Sequence, residues 1–287
     1  MSRLSPAQIG DLFLAACRAE LEALKPGNVH VHAGGHGMEV AQFEASAVAS
    51  APWIASAGQG VGTRILRAVE ASFAAAGCNT NLGILLLCAP LAAAAELPGD
   101  ASLRDRLREV LNSFDDEDAA SVFEAIRMAN PGGLGSVPDQ DVAAAPTVGL
   151  LDAMALAATR DRIAAAYLND YVELFEFGLL VLANARRQTD DPTLAVTTLH
   201  MAYLAYFADS HIARKHGIAV AEAVREQAHA LAALWRPVAQ RNTLPELLDF
   251  DADLKRHNVN PGTTADLVVA TLFAASLCDA LGCSSAP

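Results

Sequence analysis

Lysine is nearly missing from this chain. Lys25, Lys215 and Lys255 are the only three in 287 residues, and the formal net charge is −13. That balance argues against a protein that binds nucleic acid regardless of sequence, which needs a basic face to displace counterions from the phosphates. It leaves room for one nucleotide as a substrate, because a few arginines and a metal ion hold a triphosphate locally. Aromatic residues are few, at 6%, and β-branched residues are sparse beside abundant alanine, so the composition points to a helical protein. Five cysteines (Cys17, Cys78, Cys88, Cys278, Cys283) form no C-x-x-C pair and no zinc spacing with histidine. The odd count without a signal peptide predicts reduced thiols and a cytoplasmic location. The uncharged span 71–95 is a candidate membrane helix, but the Gly77-Cys78-Asn79-Thr80-Asn81 interruption leaves an apolar run too short to cross a bilayer. No membrane partner is expected. Low-complexity linkers and internal repeats are also missing, and residues 1–287 read as one compact all-α domain of about ten or more helices.

What is present is a set of polar and glycine-containing segments placed at expected helix ends. Asn79-Thr80-Asn81-Leu82-Gly83 sits between a glycine turn at Gly77 and the apolar run from Ile84 to Leu97. Asn79 or Thr80 is the expected N-cap of a helix starting near Asn81, and that helix is apolar on nearly all sides, hence central. Free N–H groups and carboxamides at such a start suit a phosphate or other anion, although a plain cap explains the same residues. Upstream, Ser5-Pro6 opens a first helix whose apolar face is Ile9, Leu12, Phe13, Ala16, Leu21 and Leu24. It ends at Lys25-Pro26-Gly27-Asn28, where proline forbids continuation. His30, His32 and His36 follow among glycines and suit either a metal or a substrate-facing loop.

Residues 43–56 form a second expected helix, bent or broken near Pro52. A third over 63–76 carries Arg64 and Arg67 on one face, and Pro90 is expected to kink the Asn79 helix. Gly58-x-Gly60-x-Gly62 lacks a preceding strand, so it reads as a turn or a helix-packing point and not as a dinucleotide loop. Asp115-Asp116-Glu117-Asp118 reads as an acidic helix start. The loop from Asn130 to Val142, rich in glycine and containing Asp139 and Asp141, is long enough to be functional. Residues 150–167 are expected as one helix with Arg160-Asp161 inside it. Thr189-Asp190-Asp191-Pro192-Thr193 opens another that continues through His200 to Asp209-Ser210-His211-Ile212-Ala213-Arg214-Lys215-His216-Gly217. There Lys215 lies near His211 at i, i+4, and Gly217 ends the element. Asn260-Pro261-Gly262-Thr263-Thr264-Ala265-Asp266-Leu267 opens the last helix, with Thr263 or Thr264 as its cap and Asp266 in its first turn.

As an ordered set, Lys25-Pro26-Gly27, Gly60-Val61-Gly62, Asn79-Thr80-x-x-Gly83, the Pro131–Val142 loop, Arg160-Asp161, Asp209–Gly217 and Asn260–Leu267 resemble triphosphoribosyl-dephospho-CoA synthase over nearly the whole chain. The resemblance implies an all-helical, magnesium-dependent enzyme that uses ATP and 3′-dephospho-CoA. It implies transfer of the triphosphorylated ribose to the 2′-hydroxyl of dephospho-CoA with loss of adenine. His30 and Asn81 stand where citrate-lyase-type members usually have aspartate and histidine, and the pattern is similar to a branch found among methanogens and methylotrophs. A one-carbon cofactor precursor of pterin or furan type is therefore the alternative acceptor. Glycosyl transfer of this kind requires a base, a phosphate-binding set and a metal. Lys25, Arg214 and Lys215 are the phosphate candidates, with the Asn79–Gly83 backbone. Asp141, Asp161, Asp209 and Asp266 are the candidates for the base and for magnesium, the metal pair being Asp209 and Asp266. Asn28, Asn79, Thr80, Asn81, Gly83, His211, Asn260, Gly262 and Thr264 complete the expected nucleotide site. A homo-oligomer is compatible with these features. The competing classes are a helical ADP-ribosyl hydrolase, whose acidic motif Thr189–Thr193 partly resembles, and a non-catalytic helical scaffold.

Overall fold

Helices alone carry the fold. The computed structural model describes residues 3–130 and 148–283, and among these there are fifteen α-helices and no strand. In chain order they are α1 (Pro6–Glu22), α2 (Val40–Ile54), α3 (Val61–Ala76), α4 (Leu82–Glu96), α5 (Leu103–Leu111), α6 (Asp116–Ala129), α7 (Leu150–Ala157) and α8 (Arg162–Leu168). After a π-helical turn at Glu173–Gly178 come α9 (Leu179–Gln188), α10 (Pro192–Tyr206), α11 (Ser210–His216), α12 (Ile218–Ala230), α13 (Ala232–Trp235), α14 (Leu244–Arg256) and α15 (Gly262–Leu281).

Local sequence accounts for most of these starts. Ser5 and Gln8 form a reciprocal capping box at α1, with Pro6 at its first position. Asp115 caps α6 and forms a second box with Asp118, so the acidic cluster is a helix start. Gly62 is the packing point between α3 and α6, since a Cβ there would lie 2.5 Å from the Asp118 carbonyl oxygen.

α15 and α4 are apolar on all sides and form the centre, flanked by α1 and α10. α15 is long and apolar enough to cross a membrane by composition, but 78% of that stretch is buried inside the protein. Pro90 lies within α4 and cannot donate to the Leu86 carbonyl, four residues back. The Tyr167 hydroxyl donates to that carbonyl instead, at 2.7 Å, and Tyr171 donates to the Leu87 carbonyl at 3.3 Å. The helix therefore runs on through the proline to Glu96. α2 likewise contains Pro52 near its C-terminal end without ending there.

Several expected boundaries are corrected. Residues 150–167 are two helices: α7 ends at Ala157, and Asp161 accepts from Ile163 N and Ala164 N as the cap of α8. The expected element over 189–217 is also two, α10 ending at Tyr206 and Asp209 capping α11. Thr264 does not cap α15; its side chain donates to Asp209. Arg64 and Arg67 do not share an environment: Arg64 is buried against Glu96 whereas Arg67 pairs with Glu70 at the surface.

Candidate active site

The ends of α1, α4, α8, α11 and α15 converge on one cavity of about 720 Å³. Its polar end is lined by Glu20, Asn28, Asn79, Thr80, Asn81, Gly83, Arg160, Asp161, His211, Arg214, Lys215, Asn260, Gly262 and Asp266. Its apolar end is walled by Phe43, Phe73, Phe123, Ile126, Met154 and Leu156, contributed by α2, α3, α6 and α7.

Two proline-glycine turns make the floor. Gly27 holds a left-handed φ of +84°, and a Cβ there would meet Pro261 Cδ at 2.7 Å, so the Lys25–Asn28 turn lies directly on the Asn260–Gly262 turn. Asn28 Nδ2 donates to Asn260 Oδ1 at 2.8 Å across the contact, and Gly27 N donates to Asp251 Oδ1 at 2.8 Å from below. Lys25 is fully buried behind this floor, donating to Glu20 and, at 3.1 Å, to Asn28 Oδ1. It therefore reaches the cavity through those two residues.

The Asn79–Gly83 segment is fixed by its own side chains. Asn79 Oδ1 accepts from Leu82 N at 3.2 Å, Thr80 donates to Ser46 Oγ at 2.6 Å and Asn81 donates to Ser72 Oγ at 3.2 Å. α4 starts at Leu82, one residue later than expected, and Asn79 supplies the side-chain bond that closes the turn. Gly83 has no room for a side chain: a Cβ would stand 2.0 Å from Asp266 Oδ2. The Asp266 carboxylate thus lies against the first turn of α4, where the helix dipole favours an anion.

Asp209 is 1% exposed and lies behind the wall. Its Oδ1 accepts from Ile212 N at 2.9 Å, and its Oδ2 accepts from Thr264 N at 2.7 Å and the Thr264 hydroxyl at 2.8 Å. Asp161 accepts from its own helix at Oδ1 and from Arg214 Nη1 at 3.2 Å at Oδ2. His211 packs on Gly262, where a Cβ would be 2.9 Å from Nδ1. Burial, then Arg214 and Lys215, lower the His211 pKa to about 3, so the ring is neutral. Burial and then the charges of Asp209, Glu20 and Asp161 push the Asp266 carboxyl well above the usual carboxylate range, against the pull of Arg214.

Of the expected site residues, Asn28, Asn79, Thr80, Asn81, Gly83, Asp161, His211, Arg214, Lys215, Asn260, Gly262 and Asp266 line the cavity. Lys25, Asp209 and Thr264 brace it from behind. Asp141 lies outside the described residues. Glu20 is a lining residue outside the expected set; the signal for it is its place after Phe13 and Ala16–Cys17 on the buried face of α1 at helical spacing, where an acid needs a partner. The apolar end is outside that set as well, because its residues read as ordinary core.

Of the three histidines of the first loop, His30 and His32 stay together, their ring centroids 5.6 Å apart, and His36 goes elsewhere. His30 is buried beside Asp251 and Lys255, whereas His36 bridges the Gly27 carbonyl and Asn258. Among the described residues no group of three histidine, cysteine or acidic side chains is placed to hold a metal by itself. Magnesium, however, is usually held by one or two carboxylates together with substrate phosphates and water. No described residue hydrogen-bonds to the Asp266 carboxylate, and Asp209, Glu20 and Asp161 are the negative charges acting on it, so a hard divalent cation fits there.

The Thr189–Thr193 segment is accounted for by capping, Asp191 accepting from Thr193 N at 3.0 Å at the start of α10.

Comparison with known proteins gives the family. The family model CitG, ATP:dephospho-CoA triphosphoribosyl transferase, matches residues 6–285. No curated protein matches. A crystal structure from Archaeoglobus fulgidus, provisionally assigned as a triphosphoribosyl-dephospho-CoA synthase, superposes with a TM-score of 0.62 at 25% identity, covering 80% of this chain and 96% of that one. The chain belongs to the ATP:dephospho-CoA triphosphoribosyl transferase family, enzymes that move the triphosphoribosyl group of ATP to dephospho-CoA.

Proposed function

We propose that the cavity holds ATP and the acceptor together, with the triphosphate at the polar end. The observation that carries this is the convergence of five helix ends on one space, with Arg160, Arg214 and Lys215 on one side and Asn79–Gly83 on another. The cations and the α4 N-terminus supply what a triphosphate needs. Asn28 and Asn260, locked to each other, offer fixed amide groups for ribose hydroxyls. Asp266 is the residue that would hold magnesium, with Asp209 as a positioning residue that fixes the start of α15. When bound there, magnesium would neutralise phosphate charge and relieve the repulsion around Asp266. Neutral His211 holds no charge to compete with Arg214 and Lys215 for phosphate and packs the wall that orients them.

Cleavage at the ribose anomeric carbon passes through an oxocarbenium-like state. The triphosphate stays whole, so its ligands act by positioning and not by activating a phosphoryl group. The five cysteines are all unbridged, which suits a reducing cytoplasm.

Incubation with Mg-ATP and dephospho-CoA should release free adenine and form a triphosphoribosylated product, both read by mass spectrometry. Formation of ADP or AMP in place of adenine would overturn the proposal. Adenine release only when dephospho-CoA is replaced by a pterin- or furan-type precursor would move the acceptor and keep the reaction class.

A further inference from the structure

We propose that the carboxylate of Glu20, anchored by Lys25, is the base that takes the proton from the acceptor's attacking hydroxyl. This rests on the foregoing assignment of the cavity to ATP and acceptor. Glu20 is 4% exposed, and that small exposure is to the cavity it lines. Its Oε1 receives the Lys25 ammonium, whereas no described residue donates to its Oε2. Oε2 is not among the side-chain atoms that are both sealed from solvent and unpartnered. One oxygen is thus held and the other is left facing the space where substrates meet.

The remaining described carboxylates around the cavity are less suited. Asp161 and Asp209 have both oxygens occupied by helix N–H groups, Thr264 or Arg214. Asp266 stands against Gly83 among other negative charges, and no described cation is bonded to it. Glu20 alone of these has its own buried cation. The groups facing it are Lys25, Asp266 and Cys17. Burial raises its carboxyl above the ordinary value, opposed by Lys25, which favours the anion. Lys25 is a positioning residue: it also donates to Asn28 Oδ1, tying the base to the Asn28–Asn260 pair on the floor.

The step balances as follows in bonds. The acceptor O–H bond breaks and its proton passes to Glu20 Oε2 as the acceptor oxygen bonds to ribose C1′. The C1′–N9 bond breaks, its electron pair leaves on adenine, and adenine takes a proton from water. Glu20 then returns its proton to solvent.

The test compares Glu20→Gln, Glu20→Asp and the double variant Glu20→Gln/Lys25→Met. Adenine release is measured across pH, alongside thermal stability with and without Mg-ATP. The single Gln variant should lose about 100- to 10,000-fold in kcat, the usual share of a general base, with little change in KM for ATP and loss of the acidic limb of kcat/KM. Glu20→Asp should keep that limb at a reduced rate. The double variant should recover thermal stability lost by the single one without recovering turnover. Turnover within about threefold of wild type in either Gln-containing variant, or an unchanged acidic limb, would make Glu20–Lys25 a structural pair only. A wild-type protein that releases no adenine would instead overturn the cavity assignment, so the two failures are distinguishable.

Discussion

Asp209 shows how much one side chain settles here. Its two oxygens accept from Ile212 N at the start of α11 and from Thr264 N and Oγ1 at the start of α15, so a single buried carboxylate closes two helices that carry His211, Arg214 and Asp266 into the cavity. A lost cap costs typically about 1 kcal/mol and up to about 2. Asp209→Ala should therefore destabilise by about 2–4 kcal/mol in urea unfolding, with Asp209→Asn intermediate. A loss below about 1 kcal/mol would mean that water replaces both caps. Gly83 bears on both stability and activity. Alanine favours a helix interior over glycine by about 1 kcal/mol, but a Cβ at Gly83 would fall 2.0 Å from Asp266 Oδ2 and drive that carboxylate away. Ile163 Cδ1, 2.8 Å from the same Cβ, must shift as well, so Gly83→Ala should destabilise by about 1–3 kcal/mol, as overpacking does, while adenine release falls about 100-fold, the scale of an ångström misplacement. Retained turnover would show that the position of Asp266 does not matter to the chemistry.

Among the elements, α10 carries the clearest pH consequence. His200 on its buried length has no exposure, with Nε2 3.2 Å from the Pro26 carbonyl oxygen, and burial followed by repulsion from Lys25 lowers its pKa from 6.5 to about 3. The unfolded chain takes up this proton near pH 6.5 and the folded chain not until about 3, so stability is full above 6.5 and drains as pH falls between the two. His200→Gln, which can still donate to Pro26, should flatten the acid limb of stability measured by urea unfolding against pH; an unchanged slope would place acid sensitivity elsewhere. Element starts of this kind were legible in sequence where the signal is local. Ser5-Pro6, the Asp115 cluster and the apolar α4 all announce themselves through neighbours a few residues away. The breaks within 150–167 and 189–217 were not, because Asp161 and Asp209 sit in otherwise helix-favouring sequence. Asp209 also takes partners from Thr264, 55 residues distant. For the same reason most polar lining residues could be named in advance, each lying in a visible glycine or carboxamide segment. Glu20 could not, since its meaning depends on Lys25 folding back beneath it.

At the scale of the whole molecule the cavity joins segments from both ends of the chain: Glu20 and Asn28 near the start, Asn260 and Asp266 near the finish. A ligand bound there contacts α1, α4, α8, α11 and α15 at once, so its binding free energy opposes global unfolding and not merely local opening. The net charge of −13 sets the condition under which it binds. Free ATP is repelled by the protein as a whole and by the carboxylates near Asp266, whereas the magnesium complex carries less charge and brings a cation to that place. Mg-ATP at about 100 times its dissociation constant should stabilise by about 2.7 kcal/mol, a rise of roughly 4–5 °C in unfolding midpoint for a domain of this size. ATP with chelator should give a much smaller rise. Asp266→Asn removes the oxygen that would face the metal, so in that variant the shifts with and without magnesium should approach each other while the fold persists. Calorimetric titration of magnesium into the ATP-loaded variant would show the same loss without any reliance on turnover. A variant that keeps the full wild-type difference between the two nucleotide forms would remove Asp266 from the metal and leave the polar end of the cavity to the cations alone.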